Sequence, residues 1–227
     1  MITPSNTPAL ILAGGRGVTE NGKPIPKVML HIAARNFLQW QVENLRKTGF
    51  HRIFIAATHE IHLEIANLAS ELRLYPVKED KRLMTGGAVL ACQEHWGDRV
   101  FIIHGDTWLP ENWADMLAFH EEKHALATWA LVDQGWTLRY GESTQENGML
   151  TEVCNRRPGS GPGLSNGGAY ILEKNAFSTF KPGDAFCIER ELFPFMIGRV
   201  AAYVCKEKAI RDIGVYESRL ALESLLA

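Results

Sequence analysis

The chain lacks any apolar run approaching the ~20 residues that a membrane-spanning helix needs, so no membrane span is expected. It is poor in cysteine. Cys92, Cys154, Cys187 and Cys205 lie far apart, with no CxxC pair and no zinc-like spacing, which predicts free thiols in a reducing compartment. Charge of one sign is also missing. The 24 Lys+Arg residues nearly balance 26 Asp+Glu, for a net charge of −2 across 227 residues, so no single-signed field favours nucleic acid or an anionic membrane. The opening MITPSNTPALILAGG puts no positive charge ahead of its short apolar run, so no secretory leader is expected and the cytoplasm is the default. No repeat, low-complexity tail or linker divides the sequence, and residues 1–227 read as one domain.

What is present is an alternation of two hydrophobic periods. Ala9–Ala13 is a short apolar run that stops at Gly-Gly, Phe37–Lys47 has helical spacing, and Arg52–Ala57 is again a buried-strand pattern. The rhythm continues with a helix over Ile61–Leu72, a short strand over Leu74–Val77, a helix over Gly87–His95 and a strand over Arg99–Ile103. The second half predicts a helix at Asn112–Glu122, strands at Ala125–Val132, Ala169–Leu172, Val200–Cys205 and Ala209–Ile213, and a closing helix at Glu217–Leu226. Pro158–Gly168 reads as a loop. This predicts an α/β fold with a mostly parallel, mixed sheet flanked by helices, whose ligands gather at the carboxyl ends of the strands.

Four segments carry chemistry. After the first strand come Gly14, Gly15 and Gly17, whose backbone can bring successive N–H groups onto phosphate oxygens, and Lys27 comes ten residues later as a point charge for the same phosphates. A plain glycine turn beside a surface lysine is the alternative. Gly17–Lys23 spells GxxxxGK, yet Pro24 stands where a P-loop needs Ser or Thr, and GxGxxG fails at Glu20. Asp106, in HGD at a predicted strand end, and Asp212, in RDIG, are carboxylates placed to hold a metal or to cap a turn. Glu79 precedes the loop Met84-Thr85-Gly86-Gly87-Ala88 and is either an acceptor for guanine N–H groups or a solvated carboxylate. Ser165–Tyr170 (SNGGAY), Arg156 and Glu189 complete the set.

Together these segments resemble the sugar-phosphate nucleotidyltransferases, from about Ala9 to about Leu220, and above all the compact branch that includes D-glycero-D-manno-heptose 1-phosphate guanylyltransferases. The opening resembles that family's GGxGTRL…PKPM signature through Leu12, Ala13, Gly14, Gly15, Gly17, Pro26, Lys27 and Met29. Val18-Thr19-Glu20 stands where the family has Thr-Arg-Leu, which leaves Arg16 and Lys23 as cations to supply the loop's missing charge. The resemblance implies that the loop, Met84, Thr85 and Gly86 bind the nucleotide, and that Asp106 and Asp212 hold Mg2+. It implies that Gly148, Arg156, Asn166, Gly167 and Glu189 bind the sugar phosphate, with Arg157 as the alternative register for Arg156 and a helix-start carboxylate as the alternative for Glu189. At Met84, where glycine is usual, backbone contacts survive if φ stays negative.

The implied reaction joins a hexose or heptose 1-phosphate to a nucleoside triphosphate, GTP favoured, giving a nucleotide-sugar and pyrophosphate. Two other readings stay open: a silent relative that binds nucleotide-sugar as a sensor or partner subunit, and a glycosyltransferase of related architecture. The expected partners are a nucleoside triphosphate and a sugar 1-phosphate, with a homodimer left open. The literal HExxH at His120–His124 lies at a helix end in a charged stretch and is read as a solvated helix terminus.

Overall fold

The computed structural model describes residues 1–15, 18–20, 23–79, 81–133, 143–153 and 164–227, with backbone alone at 18–20 and 23. Its centre is a nine-stranded sheet. The first half alternates β1 (Ala9–Leu12), α1 (Phe37–Lys47), β2 (Ile53–Thr58), α2 (His59–Glu71), β3 (Tyr75–Glu79), α3 (Met84–Ala91) and β4 (Arg99–His104). Strand β1 pairs in parallel with both β2 and β4, and β2 pairs in parallel with β3.

The second half brings α4 (Trp113–Glu122), β5 (Ala127–Asp133), β6 (Thr144–Glu146), β7 (Met149–Glu152), β8 (Leu164–Glu173), β9 (Val200–Val204) and α5 (Tyr216–Leu226). The spatial order is β6-β7-β9-β5-β8-β4-β1-β2-β3. Among the described strands of this half only β5 and β9 pair in parallel, while β8 runs antiparallel to both β4 and β5. The sheet is therefore parallel on one side and mixed on the other.

Both faces are covered, which is why the strands read as continuous apolar runs rather than alternating ones. Ala9 and Ile11 face the core shared with α1, α2 and α4 through Val42, Ile65 and Met116. Leu10, one residue out of phase, joins the opposite core with Val89 of α3, Tyr170 and Phe193. Helix α1 starts where Asn36 and Gln39 form a capping box and stops at Thr48 ahead of the positive-φ Gly49. A third small core ties α5 to the Leu30–Phe37 region through Leu222, Ile32 and Trp108.

Three element boundaries differ from expectation. Helix α3 starts at Met84, three residues before the predicted Gly87, and a separate short 3-10 turn covers Gln93–His95. Strand β8 starts at Leu164, so Ser165 to Gly168 belong to the sheet and not to a loop. Their loop-like composition serves a bulge: Trp129 pairs with Tyr170 but Leu131 pairs with Asn166, and Gly168 takes φ +70° to absorb the extra residues. The strand expected at Ala209–Ile213 shrinks to Arg211–Asp212, paired with Thr107–Trp108. Part of the expected loop Pro158–Gly168 lies outside the described residues.

Candidate active site

Strands β1 and β4 end side by side, and the chain leaves them through Ala13–Gly15 and Gly105–Asp106. The two turns touch. The Gly105 amide donates to the Leu12 carbonyl at 2.9 Å, and a Cβ at Gly105 would lie 2.6 Å from that oxygen, so only glycine fits. Beyond these strand ends opens a cavity of about 350 Å3. The expected residues Leu12, Ala13, Gly14, Gly15, Lys27, Glu79, Met84, Thr85 and Asp106 all line it. Arg16, Gly17 and Arg156 lie outside the described residues.

Lys27 folds back over the glycine turn. Its amide donates to the Gly15 carbonyl at 3.1 Å, and its aliphatic stem lies 3.5 Å from where a Gly15 Cβ would sit. This carries the ammonium to 2.7 Å from Oδ2 of Asp106. Burial works against ionised Asp106, but His104 and then Lys27 outweigh it and hold the carboxyl below its ordinary range. Asp212 arrives from the other end of the chain, because its ribbon pairs it with Thr107 and the Ile213 amide donates to the Asp106 carbonyl at 3.0 Å. A Cβ on Gly214 would lie 3.0 Å from both Asp212 Oδ1 and Lys27 Nζ, which places the second carboxylate within about 6 Å of the ammonium, just outside the cavity lining.

Two oxygen-donor carboxylates around one cationic group suit a hard divalent ion whose remaining ligands come from phosphates and water. Among the described residues, no cluster of three His, Cys, Asp or Glu side chains forms a protein-only metal cage. At the HExxH, α4 ends at Glu122 and His124 takes φ +46°, off the helical face. The His120 ring is buried and bonded to Thr128 Oγ1 at 2.7 Å and Glu173 Oε1 at 3.1 Å. This corrects the expected solvated helix end: His120 is a satisfied core histidine.

The opposite wall is built by β3 and α3. Glu79 is only 6% exposed, and burial pushes its carboxyl up to about 7, partly offset by the Leu83 amide. Met84 has φ +61°, against the negative φ expected of a methionine standing for glycine. Gly86 does not line the cavity. Its amide donates to the Phe186 carbonyl at 2.9 Å, and a Cβ there would lie 2.1 Å from the Phe186 ring.

The residues expected around the sugar phosphate divide. Asn166 and Glu189 meet behind the wall, with Asn166 Nδ2 donating to Glu189 Oε1 at 3.0 Å. Gly167 sits on the bulge, where a Cβ would lie 2.8 Å from the Ala130 carbonyl. Gly148 stands apart from them. It forms the positive-φ turn of the β6–β7 hairpin with Asn147 and packs against Phe119 and Lys123, so a tight turn accounts for that glycine.

Sequence reasoning missed three participants. His104, which lines the cavity one residue before Gly105, bonds through Nε2 to the Tyr170 hydroxyl at 3.0 Å. Buried Gln41 of α1 donates to the His104 and Thr107 carbonyls at 2.8 and 3.2 Å and so clamps the Asp106 turn from behind. Arg82 adds a cation to the cavity rim. The helical spacing of Phe37–Lys47 gave no sign of this clamp.

Residues 9–194 match the family described as MobA-like NTP transferase domain. The chain is 28% identical over 189 residues to D-glycero-alpha-D-manno-heptose 1-phosphate guanylyltransferase of Campylobacter jejuni, covering 81% of this chain and 84% of that protein. It is 24% identical to mannose-1-phosphate guanylyltransferase of Mycobacterium tuberculosis, over 92% of this chain and 61% of that protein. It is 26% identical to UTP–glucose-1-phosphate uridylyltransferase of a Synechocystis species, over 83% of this chain and 55% of that protein. The chain thus spans little more than half the length of these last two. In fold it matches crystal structures of HddC from Yersinia pseudotuberculosis, alone and complexed with GMP-PN, each with a TM-score of 0.84 over 97% of this chain and all of that one, at 23% and 24% identity.

Proposed function

This chain belongs to the family of MobA-like NTP transferase domains, and from that premise we propose that residues 1–227 form one sugar 1-phosphate nucleotidyltransferase domain. The reaction forms a bond from a sugar-phosphate oxygen to the α-phosphorus of a nucleoside triphosphate and breaks the bond from that phosphorus to the α–β bridging oxygen. Nucleotide-sugar and pyrophosphate are the products. The observation that carries this reading is the convergence of the glycine turn, the Lys27 ammonium and the Asp106 carboxylate on one cavity, with Asp212 beside them.

A phosphate anion is already nucleophilic, so the site needs no serine, cysteine or histidine base. It needs position and charge neutralisation. The backbone of Ala13 to Gly15 cradles the triphosphate and Lys27 steadies the departing phosphates; Gly17 and Arg16, next in the sequence, are assigned to the same task from the family signature alone. Asp106 and Asp212 would hold Mg2+, which supplies Lewis-acid stabilisation of phosphate charge when bound. The base lies against Glu79, Met84 and Thr85, with Gly86 packed behind them. An ionised Glu79 is a fit acceptor for the two adjacent N–H groups of guanine, which favours GTP. The sugar, a hexose or heptose, enters from the side of Asn166, Gly167 and Glu189, with Arg156 as the grip on its phosphate. Gly148 shapes the neighbouring hairpin. The work belongs in the cytoplasm, where nucleoside triphosphates are made; no described helix is long and apolar enough to cross a membrane.

The test is incubation with each of the four common triphosphates and a panel of hexose and heptose 1-phosphates, with magnesium, reading pyrophosphate release. GTP with one sugar phosphate is expected to give turnover. Binding of a nucleotide-sugar with no pyrophosphate from any pair would overturn catalysis in favour of a silent binding protein, the reading that Val18-Thr19-Glu20 in the loop favours.

A further inference from the structure

The wall between the nucleotide cavity and the sugar side holds a closed set of hydrogen bonds. The carboxylate of Glu189 is at its centre, and its acceptor positions are filled. Oε1 accepts from the Tyr170 hydroxyl and from Asn166 Nδ2. Oε2 accepts from Cys187 Sγ at 2.8 Å and from Thr85 Oγ1 at 3.4 Å. Two oxygens offer about four lone-pair sites, and four protein donors take them.

Asn166 is equally committed. Trp129 Nε1 and the Gly168 amide both donate to its Oδ1, at 2.9 and 2.7 Å, which fixes the orientation of the amide. Its Nδ2 is thereby directed to Tyr170 and Glu189. Tyr170 is fully buried and has one proton to give. An ionised carboxylate only accepts, so that proton goes to Glu189, and the phenol oxygen must then receive a hydrogen from His104 Nε2. The set leaves the wall at two points, His104 and Thr85, and both line the nucleotide cavity.

Resting on the nucleotidyltransferase reading, we propose that Glu189 and Tyr170 are positioning residues for the nucleotide pocket. The carboxylate orients Thr85 directly, and it orients the His104 ring, beside Asp106, through the Tyr170 hydroxyl and through its own charge 3.7 Å from Nε2. Glu189 therefore acts from the sugar side without giving a lone pair to a sugar hydroxyl. The Thr85 hydroxyl also accepts from the Ile188 amide at 3.0 Å, so the segment carrying Glu189 and the start of α3 are held as one piece.

The experiment uses Tyr170→Phe and Glu189→Gln. Tyr170→Phe keeps the ring that packs between Trp129 and Phe193 and removes only the hydroxyl. Nitrogen-15 NMR of labelled histidine is expected to show His104 with its proton on Nε2 in the parent chain, and to lose that preference in Tyr170→Phe. Calorimetry with a non-hydrolysable GTP analogue and magnesium is expected to show affinity reduced about five- to twentyfold in both variants, while sugar 1-phosphate affinity at saturating nucleotide changes less than about threefold. A Glu189→Gln protein that loses tenfold or more for sugar phosphate, with nucleotide affinity unchanged, would overturn the proposal and make Glu189 a sugar ligand. A parent His104 protonated on Nδ1 alone would overturn it too. The ring measurement needs no nucleotide. A parent chain that binds no triphosphate therefore fails the nucleotidyltransferase reading while the NMR still decides this one.

Discussion

The Lys27 ammonium lies 2.7 Å from Oδ2 of Asp106, although 79 residues separate them in the chain. Each is partly buried at the cavity mouth, the side chains keeping 20% and 31% of their exposure. Such a pair contributes only about 1 kcal/mol to folding, because water still screens it. On the proposed reading its weight falls on turnover instead.

Lys27→Ala should therefore reduce turnover by about a hundredfold or more, the usual cost of removing one group that stabilises transition-state charge. Its unfolding free energy should drop by no more than about 1 kcal/mol. Pyrophosphate release and urea unfolding on the same preparation check both halves. Turnover within about threefold of the parent would remove Lys27 from the mechanism.

If Glu79 faces the base as proposed, stability and nucleotide affinity should respond to pH in opposite directions. Its folded pKa of about 7 lies above the ordinary 4.5, so between those values the folded chain keeps a proton that the unfolded chain has lost. Stability falls as pH rises through that window. Guanine needs the ionised acceptor, so affinity for GTP should rise over the upper part of it. Glu79→Gln should flatten both profiles. It should equal the parent in stability near pH 4.5 and exceed it by on the order of 3 kcal/mol above about pH 7. Unfolding and GTP titrations at three pH values check this, and a parent with no pH-dependent deficit would contradict it.

Met84 is 44% exposed and holds φ +61°, a conformation that costs a side-chain-bearing residue about 1–2 kcal/mol. Met84→Gly should raise stability by about 1 kcal/mol, since the relieved strain exceeds the added freedom of the unfolded chain. Thermal unfolding measures it. A loss of stability would mean that methionine contacts in the cavity wall outweigh the strain.

Gly86→Ala should do the reverse. The new Cβ would sit 2.1 Å from the Phe186 ring, which is itself buried and stacked on Phe180 at 3.7 Å. Relief requires moving the 184–188 segment off α3, at a cost of about 2–3 kcal/mol. Equilibrium unfolding checks it, and an unchanged midpoint would show that the segment shifts freely.

The range of each interaction along the chain decided whether it was legible in the sequence. The parallel half was readable because its strands are unbroken apolar runs, and because α1 has its own cap and stop within the sequence. The cavity was largely readable too. Gly14, Gly15 and Asp106 sit just past strand ends, where a parallel sheet collects its ligand-binding turns, and Lys27 is near enough in sequence to fold back onto them. The start of β8 was not. Ser-Asn-Gly-Gly has loop composition, and only its ladder with β5 makes it a strand. The sign of φ at Met84 is likewise set by the packing of α3 against the Phe186 segment, not by methionine's own preference. His104, Tyr170 and Glu189 span 66 and 19 residues of separation and meet only through the antiparallel pairing of β4 with β8 and the turn at Ile188–Leu192.

The two-residue ribbon that pairs Arg211–Asp212 with Thr107–Trp108 gives the site an order of assembly. During synthesis β1 to β4 and the glycine turn leave the ribosome at least a hundred residues before Asp212 does. They are free to form while the second carboxylate is still being polymerised. A nascent chain stalled before Arg211 carries the glycine turn, Lys27 and Asp106 but lacks Asp212. On the proposed reading the carboxylate pair is completed only in this late step, so a chain truncated before Arg211 should form the glycine turn and still release no pyrophosphate.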